Sequence, residues 1–573
     1  NGIKHLGNLA GSILPADVYA RFQRLRGRDV LFVCGTDEHG TPAELAAQEA
    51  GLPVAEYCAL QHAAQADIYR RLHISFDHFG RSSSPANHAL TQQLFLRLVA
   101  NGFIEERVLR QLWSRVDNRF LPDRYVVGSC PHCGDTAARG DQCDNCGNLL
   151  DPAELIAPRS ALSGSTALET RETRHLFLLQ SKLTDQLRRW LDTKTDWDPL
   201  VLSLARGLLD QGLRDRCITR DLAWGVPVPK PGWDGKVFYV WFDAPIAYVA
   251  LTQEWAAAAP GRDWRDWWRT GSGTRLVQFL GKDNVAFHAL TFPATILGSG
   301  ADIRLVDRIK GFSWLTWGEG KFSTSRARGI FLDAALDELP SDWWRWWLTA
   351  NAPEASDTRF TPALFATGCN GDLADGLGNL TRRVLSFVAT RFDCRVPEQG
   401  NPGEAEARLA LEADAIITAC AEHFEAIRLR RACEGLRELW SLGDRYFAAL
   451  RRRRGRRSGL TTAGRPARCA QRPTCCDWRP SPLPLCCHIP ASGSSAHWVA
   501  QLRVRGRQAR PSGCVHREGR LAVCRICCFH VCRRNGLRMS RRATDHEGED
   551  VATMQASSTC CCIELGSSSI KAP

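Results

Sequence analysis

Apolar residues recur at helical spacing over positions 5–26, with Leu6, Leu9, Ile13 and Phe22 near one face and Pro15 placed to kink it. The run Val30-Leu31-Phe32-Val33 predicts a short buried strand that ends in a polar loop at residues 34–40. Further strand candidates are residues 237–242 and 276–280. Strands separated by long helical stretches predict an α/β fold with a doubly wound parallel sheet. In such sheets ligands sit at the carboxyl ends of strands, so the loop at 34–40 is well placed for a site. A Gly- and Cys-rich stretch at 106–165 breaks the alternation and reads as an insertion. From 361 to 450 the pattern turns helical: Ile416, Cys420, Phe424 and Ile427 form one stripe, and Leu436, Leu439, Trp440 and Phe447 the next. This predicts a small helical bundle. The expected units are 1–105 and 166–309 as two halves of the α/β domain, 106–165 as insertion, 310–360 as junction, 361–450 as bundle and 451–573 as tail.

Composition changes the picture at one end only. Hydrophobic content of 44% and charged content of 24% fit a globular protein, and no run of eighteen apolar residues suggests a membrane span. The formal charge is +12, but residues 451–573 hold 23 Lys and Arg against 7 Asp and Glu. The basic excess therefore belongs to this tail. Thirteen of the 24 cysteines lie there too, and the arginine run 451–457 is expected to break the last helix. A basic RNA-binding arm or a disordered tail would each fit. Translation of a GC-rich gene in a shifted frame accounts for more, since native basic arms are seldom Cys-rich without metal spacing. The chain opens on Asn1, so an incomplete N-terminus is expected.

Candidate chemistry is concentrated in three places. Cys130-Pro-His-Cys133 and Cys143-Asp-Asn-Cys146 are two C-x₂-C pairs nine residues apart, each followed by glycine. Four soft ligands suit a tetrahedral structural Zn²⁺, with His132 inside the knuckle but not expected to ligate. His5-Leu6-Gly7-Asn8 opens the first helix, where unpaired N–H groups suit a triphosphate and Gly7 permits close approach; a capping histidine explains the tetrapeptide equally well. Lys321-Phe-Ser323-Thr324-Ser325-Arg326 follows Gly-Glu-Gly, a flexible basic loop able to close on phosphates. Taken alone it reads as a charged surface loop.

Together these features resemble class I aminoacyl-tRNA synthetases. The longer strings at 34–42 (CGTDEHGTP), 76–85 (FDHFGRSSSP), 237–248 (VFYVWFDAPIAY), 281–288 (GKDNVAFH) and 344–353 (WRWWLTANAP) resemble the methionyl enzymes, over residues 1 to about 450. The resemblance implies a Rossmann-type catalytic domain with an inserted zinc knuckle, followed by an anticodon-binding bundle. It implies ATP-dependent activation of L-methionine and its transfer to tRNA(Met), with Mg²⁺ accompanying ATP. His5 and Asn8 match one signature and Lys321 opens the other, so His5, Gly7, Asn8, Lys321, Ser323, Thr324 and Ser325 are the implied ATP contacts. Thr324 stands where the second signature lysine is usual, and Arg326 or Arg328 would supply that charge instead. Methionine would meet Trp241, Pro245, Tyr248, Asp283 and His288, with Asp37 on its ammonium and Arg220 near its carboxylate. Asn379 and Arg383 match anticodon-reading positions. The family's first strand would precede Asn1, and its anticodon-stacking tryptophan would follow Phe447, where the arginine run stands.

Another class I synthetase is the nearest alternative. However, only 316 residues separate His5 from Lys321, too few for a large editing domain beside the knuckle. A non-catalytic RNA-binding relative is the alternative from another class. A cytoplasmic protein, monomer or homodimer, without membrane contact is expected.

Overall fold

The structure, a computed structural model, describes residues 2–143, 145–146, 148–323, 328–396 and 400–457. Thr324, Ser325 and Arg326, and all of the tail beyond Arg457, lie outside the described residues.

The first helix forms as its pattern predicts, burying Leu6, Leu9, Leu14, Val18 and Phe22, while Ile13 is half-buried. Proline is accommodated differently from expectation. A π-helical stretch, Leu9–Ile13, joins Leu6–Asn8 to Leu14–Leu25, and the Leu14 N–H reaches back to the Leu9 carbonyl. Pro15 has no N–H to donate and its ring crowds the preceding turn, so a widened turn takes up the misfit.

The strand expected at 30–33 starts later, as Val33–Thr36, parallel to His78–Arg81. Residues 30–33 are only half-buried. Asp77 marks the start, its N–H bonding the Phe32 carbonyl at 2.8 Å and its carboxylate the Phe32 N–H at 2.6 Å. Cys34, Gly35 and Thr36 therefore belong to the ladder, and the loop begins at Asp37. The second strand candidate shrinks to Val237–Phe238, antiparallel to Thr219–Arg220, before the chain turns helical at Val240–Asp243. The third appears as Val277–Gly281, parallel to Arg308–Phe312.

The inserted segment is carried on a long antiparallel ribbon in which Ile104–Ser114 pairs residue for residue with Leu168–Leu178. Its far end holds a small sheet of Val126–Ser129, Ala138–Arg139 and Ile156–Ser160. After Phe312, strand Leu315–Trp317 lies between Gly320–Lys321 and Thr358–Phe360. Helices follow at Pro362–Cys369, Asn379–Arg391, Glu404–Glu425 and Leu429–Arg457, with a π-helical stretch at Asn370–Gly378. The last helix continues through the arginine run that was expected to break it.

The bundle docks on the α/β region through its predicted stripe. Phe424 stacks on Phe22 at 5.4 Å and Ile427 is buried in the same core, while Cys420 faces the last helix, 3.7 Å from the Ala432 carbonyl. Under this junction Asp17 is fully buried and receives Arg345 at 2.5 Å, Arg21 at 2.9 Å, and the Ser75 N–H and hydroxyl at 2.7 Å each. Among the described residues no helix is long and apolar enough to cross a membrane.

Candidate active site

The two short signatures meet although 316 residues separate them. Backbone bonds from Leu6 N–H to the Ile330 carbonyl (3.1 Å) and from Leu332 N–H to the Lys4 carbonyl (2.9 Å) zip the start of the first helix to the strand after the loop. His5 lies 5.1 Å, centroid to centroid, from Phe322. The base of the loop is closed by reciprocal backbone bonds between Ser323 and Arg328 at 2.9 and 3.0 Å. Gly329, at φ +115°, is required there, because a Cβ would fall 2.1 Å from the Phe322 ring.

His5 and Asn8 also cap one another. The Asn8 N–H donates to His5 Nδ1 at 3.3 Å, and the His5 N–H donates to Asn8 Oδ1 at 3.2 Å. That N–H is thus already occupied, as the capping reading anticipates. Burial, with the Lys4 charge adding, lowers His5 to about 4 and keeps it neutral. Gly7 follows His5 so closely that a Cβ would meet its ring at 3.1 Å. Lys321 sits on the neighbouring alternate position of the strand and points elsewhere: its Nζ lies 4.1 Å from the Trp314 ring centroid.

The candidate recess is the group of polar and aromatic side chains around the carboxyl end of Val33–Thr36. Asp37 at its rim reaches solvent yet is crowded by protein. Burial and then Asp243 push its carboxyl up to about 7. Tyr248 lies close enough for Cys34 and Asp37 to act on its hydroxyl, which burial pushes upward. The Tyr248 hydroxyl is 3.2 Å from His288 Nε2, and His288 Nδ1 is 3.0 Å from the Asn284 carbonyl. A carbonyl only accepts, so Nδ1 carries hydrogen; burial holds the ring neutral, and Tyr248 donates to Nε2. Trp241 is on a helical turn, not a strand, stacked on Phe287 at 4.2 Å and 9°. Its neighbours Phe238 and Phe242 are the buried core residues, and Pro245 is buried beneath. Asp283 is exposed on the turn before His288.

Arg220 is engaged elsewhere. Its Nε bonds Asp123 at 2.8 Å, its Nη1 the Thr219 carbonyl at 2.9 Å, and its guanidinium lies 3.9 Å from the Tyr239 centroid. Among the described residues no hydrogen bond or ion pair joins it to Asp37.

Sequence reasoning passed over the support beneath the recess. Buried His39 bonds Asp243 at 2.8 Å, Asn87 donates to the same oxygen at 3.3 Å, and His88 lies 3.4 Å from the other His39 nitrogen. Burial opposes charge on His39, but Asp243 outweighs it and raises the ring above its ordinary value. Buried Glu38 accepts from Thr36 at 2.6 Å and Arg81 at 2.9 Å, while its carbonyl accepts from Trp224 at 2.7 Å. Glu38, His39 and Asp243 all lie within the strings that carried the resemblance, which was the available signal.

The four cysteines of the knuckle converge. Their sulfurs lie within 4.8 Å of one another, with Cys130–Cys146 at 3.9 Å and Cys133–Cys143 at 3.7 Å. A tetrahedron with Zn–S bonds of about 2.3 Å has edges of about 3.8 Å, so the set fits Zn²⁺. Cys133 is drawn down to about 6 by the Asp135 N–H and the Asn145 amide, whereas burial pushes Cys143 up to about 12. His132 is exposed and outside the cluster.

In the bundle Asn379 is exposed. Arg383 is half-buried, paired with Asp444 and 5.3 Å from the Phe447 centroid.

A parallel-sheet core whose His-x-Gly-Asn turn meets a Lys-x-Ser loop defines a class I aminoacyl-tRNA synthetase. Residues 1–385 match the family model for tRNA synthetases class I (M), and residues 396–451 match the anticodon-binding domain of methionyl tRNA ligase. The methionine–tRNA ligase of a Caulobacter species is 58% identical over 455 residues, 78% of this chain and 80% of the relative. That of Dinoroseobacter shibae is 56% identical over 461 residues, 78% and 81% of the two chains. The Mycobacterium tuberculosis methionyl-tRNA synthetase bound by methionyl-adenylate superposes with a TM-score of 0.63 at 27% identity, covering 80% of this chain and 83% of that one. The chain belongs to the methionyl-tRNA synthetases, ligases that join methionine to tRNA.

Proposed function

We propose that the recess at the end of Val33–Thr36 binds L-methionine and that the His5–Phe322 corner binds ATP, together with Mg²⁺. Asp37 would take the amino acid's ammonium. Trp241, Pro245, Tyr248 and His288 would enclose its side chain, an unbranched thioether suited to an aromatic wall with one polar contact. Asp283 would stand at the rim. Arg220 would reach the carboxylate only by giving up Asp123. His5, Gly7 and Asn8 would line the nucleotide from one side, and Lys321, Ser323, Thr324 and Ser325 from the other.

The methionine carboxylate oxygen attacks the α-phosphorus in line, the bond to the bridging oxygen breaks, and pyrophosphate leaves. A ribose hydroxyl at the end of tRNA(Met) then attacks the methionyl carbonyl and releases AMP. Neither step needs an enzyme nucleophile, so positioning and charge stabilisation carry both. Neutral His5 fits this role, since its Nδ1 accepts from the Asn8 N–H and its Nε2–H can then donate to the nucleotide without bringing a charge. The knuckle Cys130, Cys133, Cys143 and Cys146 would hold one Zn²⁺, which in a closed four-thiolate site supplies folding energy and no chemistry. Asn379 and Arg383 would read anticodon bases, Arg383 after leaving Asp444. The units proposed from the sequence at 1–105, 106–165, 166–309, 310–360 and 361–450 serve these roles. The cytoplasm, where thiols stay reduced and tRNA is charged, is the proposed compartment.

The contact of Phe322 with His5 carries this reading, because it unites the two signatures at one corner. ATP–pyrophosphate exchange tests it. Exchange with methionine, none with leucine, isoleucine or cysteine, and loss in Lys321→Ala are expected. Absence of exchange with all four amino acids would overturn it.

A further inference from the structure

A second lysine stands beside Lys321. Trp314 immediately precedes the strand Leu315–Trp317, against which the turn Leu6–Asn8 packs. Lys321 Nζ lies 4.1 Å from the Trp314 ring centroid, and Lys282 Nζ lies 4.0 Å from the same centroid. Lys282 directly follows Val277–Gly281, so it occupies the carboxyl end of a parallel strand, where this sheet type binds ligands. The two ammonium groups come from segments that share no local sequence, and they converge on one indole at the edge of the His5 corner.

Their charge balance is incomplete. Asp357 accepts from Lys282 at 3.0 Å and from the Trp314 N–H at 3.0 Å. Burial would raise this carboxyl, but the Trp314 N–H and the Lys282 ammonium outweigh it and keep it ionised. Asp357 pairs directly with Lys282 and acts on Lys321 only at longer range, and both lysines remain half-exposed. An ammonium over a ring that still meets solvent is held by only about 0.5–1 kcal/mol, and Trp314 is half-buried, so either can leave for a stronger anion. Thr324 occupies the position of the second signature lysine, so that ammonium is missing from the loop, whose other cations are the guanidinium groups of Arg326 and Arg328.

We propose that Lys282 is that missing cation: with Lys321 it binds the β- and γ-phosphates of ATP and the departing pyrophosphate, and Trp314 with Asp357 holds both lysines in reserve until the nucleotide arrives. The charge that builds on pyrophosphate as the α-phosphorus bond breaks is met by two mobile positive charges. The proposal rests on the His5–Phe322 corner being the ATP site.

Steady-state exchange with the full chain separates the possibilities, using ATP, inorganic pyrophosphate and methionine as varied ligands. Lys282→Met is expected to raise the KM for pyrophosphate and for ATP by about tenfold or more, with the KM for methionine within about twofold. Lys282→Arg should recover most of that loss, because charge is what matters. Asp357→Asn, which frees Lys282, should lower the KM for pyrophosphate. Equal rises for methionine and pyrophosphate in Lys282→Met would assign it a structural role and overturn the proposal, as would no change in either. A silent Lys282→Met beside a Lys321→Met that has lost pyrophosphate affinity would reject Lys282 alone. Silence of both would reject the ATP corner itself.

Discussion

Replacing Tyr248 by phenylalanine removes one oxygen from the proposed methionine site and makes two separable losses. The Tyr248 hydroxyl donates to His288 Nε2 across 3.2 Å, while His288 Nδ1 is committed to the Asn284 carbonyl. The hydroxyl hydrogen is therefore the one polar hydrogen of this pair that can be shared, as a three-centre bond, between Nε2 and a substrate sulfur, a weak acceptor. In the empty Tyr248→Phe variant, water entering the recess can satisfy Nε2. Binding of any side chain expels that water and strands a buried acceptor, at a cost of about 1–3 kcal/mol, or about 5- to 150-fold in affinity. This loss falls equally on methionine and on norleucine, which carries a methylene in place of sulfur. The second loss is specific to sulfur and small, about 1 kcal/mol at most, so the preference for methionine over norleucine should fall by about two- to fivefold. The kcat/KM for each amino acid in pyrophosphate exchange measures both. An unchanged preference would show that Tyr248 does not read the sulfur. Unchanged rates with both amino acids would show that this recess is not the methionine site.

Acidity should tune substrate affinity. Asp37 is pushed up to about 7, above its value in the unfolded chain, so its ionisation takes stability away as pH rises from about 4 to about 7. Binding an ammonium needs the ionised form, and calorimetry should find methionine binding about tenfold weaker at pH 6 than at pH 8; a flat profile, or one that survives Asp37→Asn, would refute this role. Removing the metal should unfold the knuckle, since Cys130 and Cys143 are core residues packed with Leu112, Leu121, Tyr125 and Val126. One zinc per chain by atomic absorption, and its loss with a lowered Tm in Cys143→Ser, are expected; a metal-free protein of unchanged Tm would contradict the assignment. Gly329→Ala drives a Cβ into the Phe322 ring and should lower kcat with little change in Tm, whereas wild-type exchange would show that the His5–Phe322 contact is dispensable. Arg345→Met leaves Asp17 buried with one partner fewer and should cost about 3–5 kcal/mol in urea unfolding; a loss under 1 kcal/mol would show that the pair is not needed under the bundle.

Much of the fold was legible in local pattern. Leu6, Leu9 and Phe22 are core residues as their spacing implied, and of the first bundle stripe Phe424 and Ile427 dock on that core while Cys420 packs inside the bundle. Boundaries were less legible. The apolar run at 30–33 lies outside the ladder except for Val33, because Asp77, a partner 44 residues beyond Val33, decides where pairing starts. Residues 239–242 carry strand-like aromatics yet turn helical at Val240, so Trp241 faces Phe287 and the recess while Phe242 enters the core. The arginine run looked like a helix breaker only because its apolar period stops; charge alone does not end a helix whose residues have good intrinsic propensity.

The sequence by itself determined the chemistry available: four thiols at metal spacing, two phosphate signatures, an aromatic-rich string and an acidic loop, each encoded within seventeen residues or fewer and so readable without a fold. Tertiary structure alone decided which of these groups are at liberty. Arg220 is committed to Asp123, Arg383 to Asp444, and Lys321 rests on Trp314 beside Lys282. Those partners lie 97, 61, 7 and 39 residues away along the chain. Ion pairing and cation–π contact act through a few ångströms of space, and the Trp314 neighbour that matters most, Lys282, reaches it only because two parallel strands lie side by side.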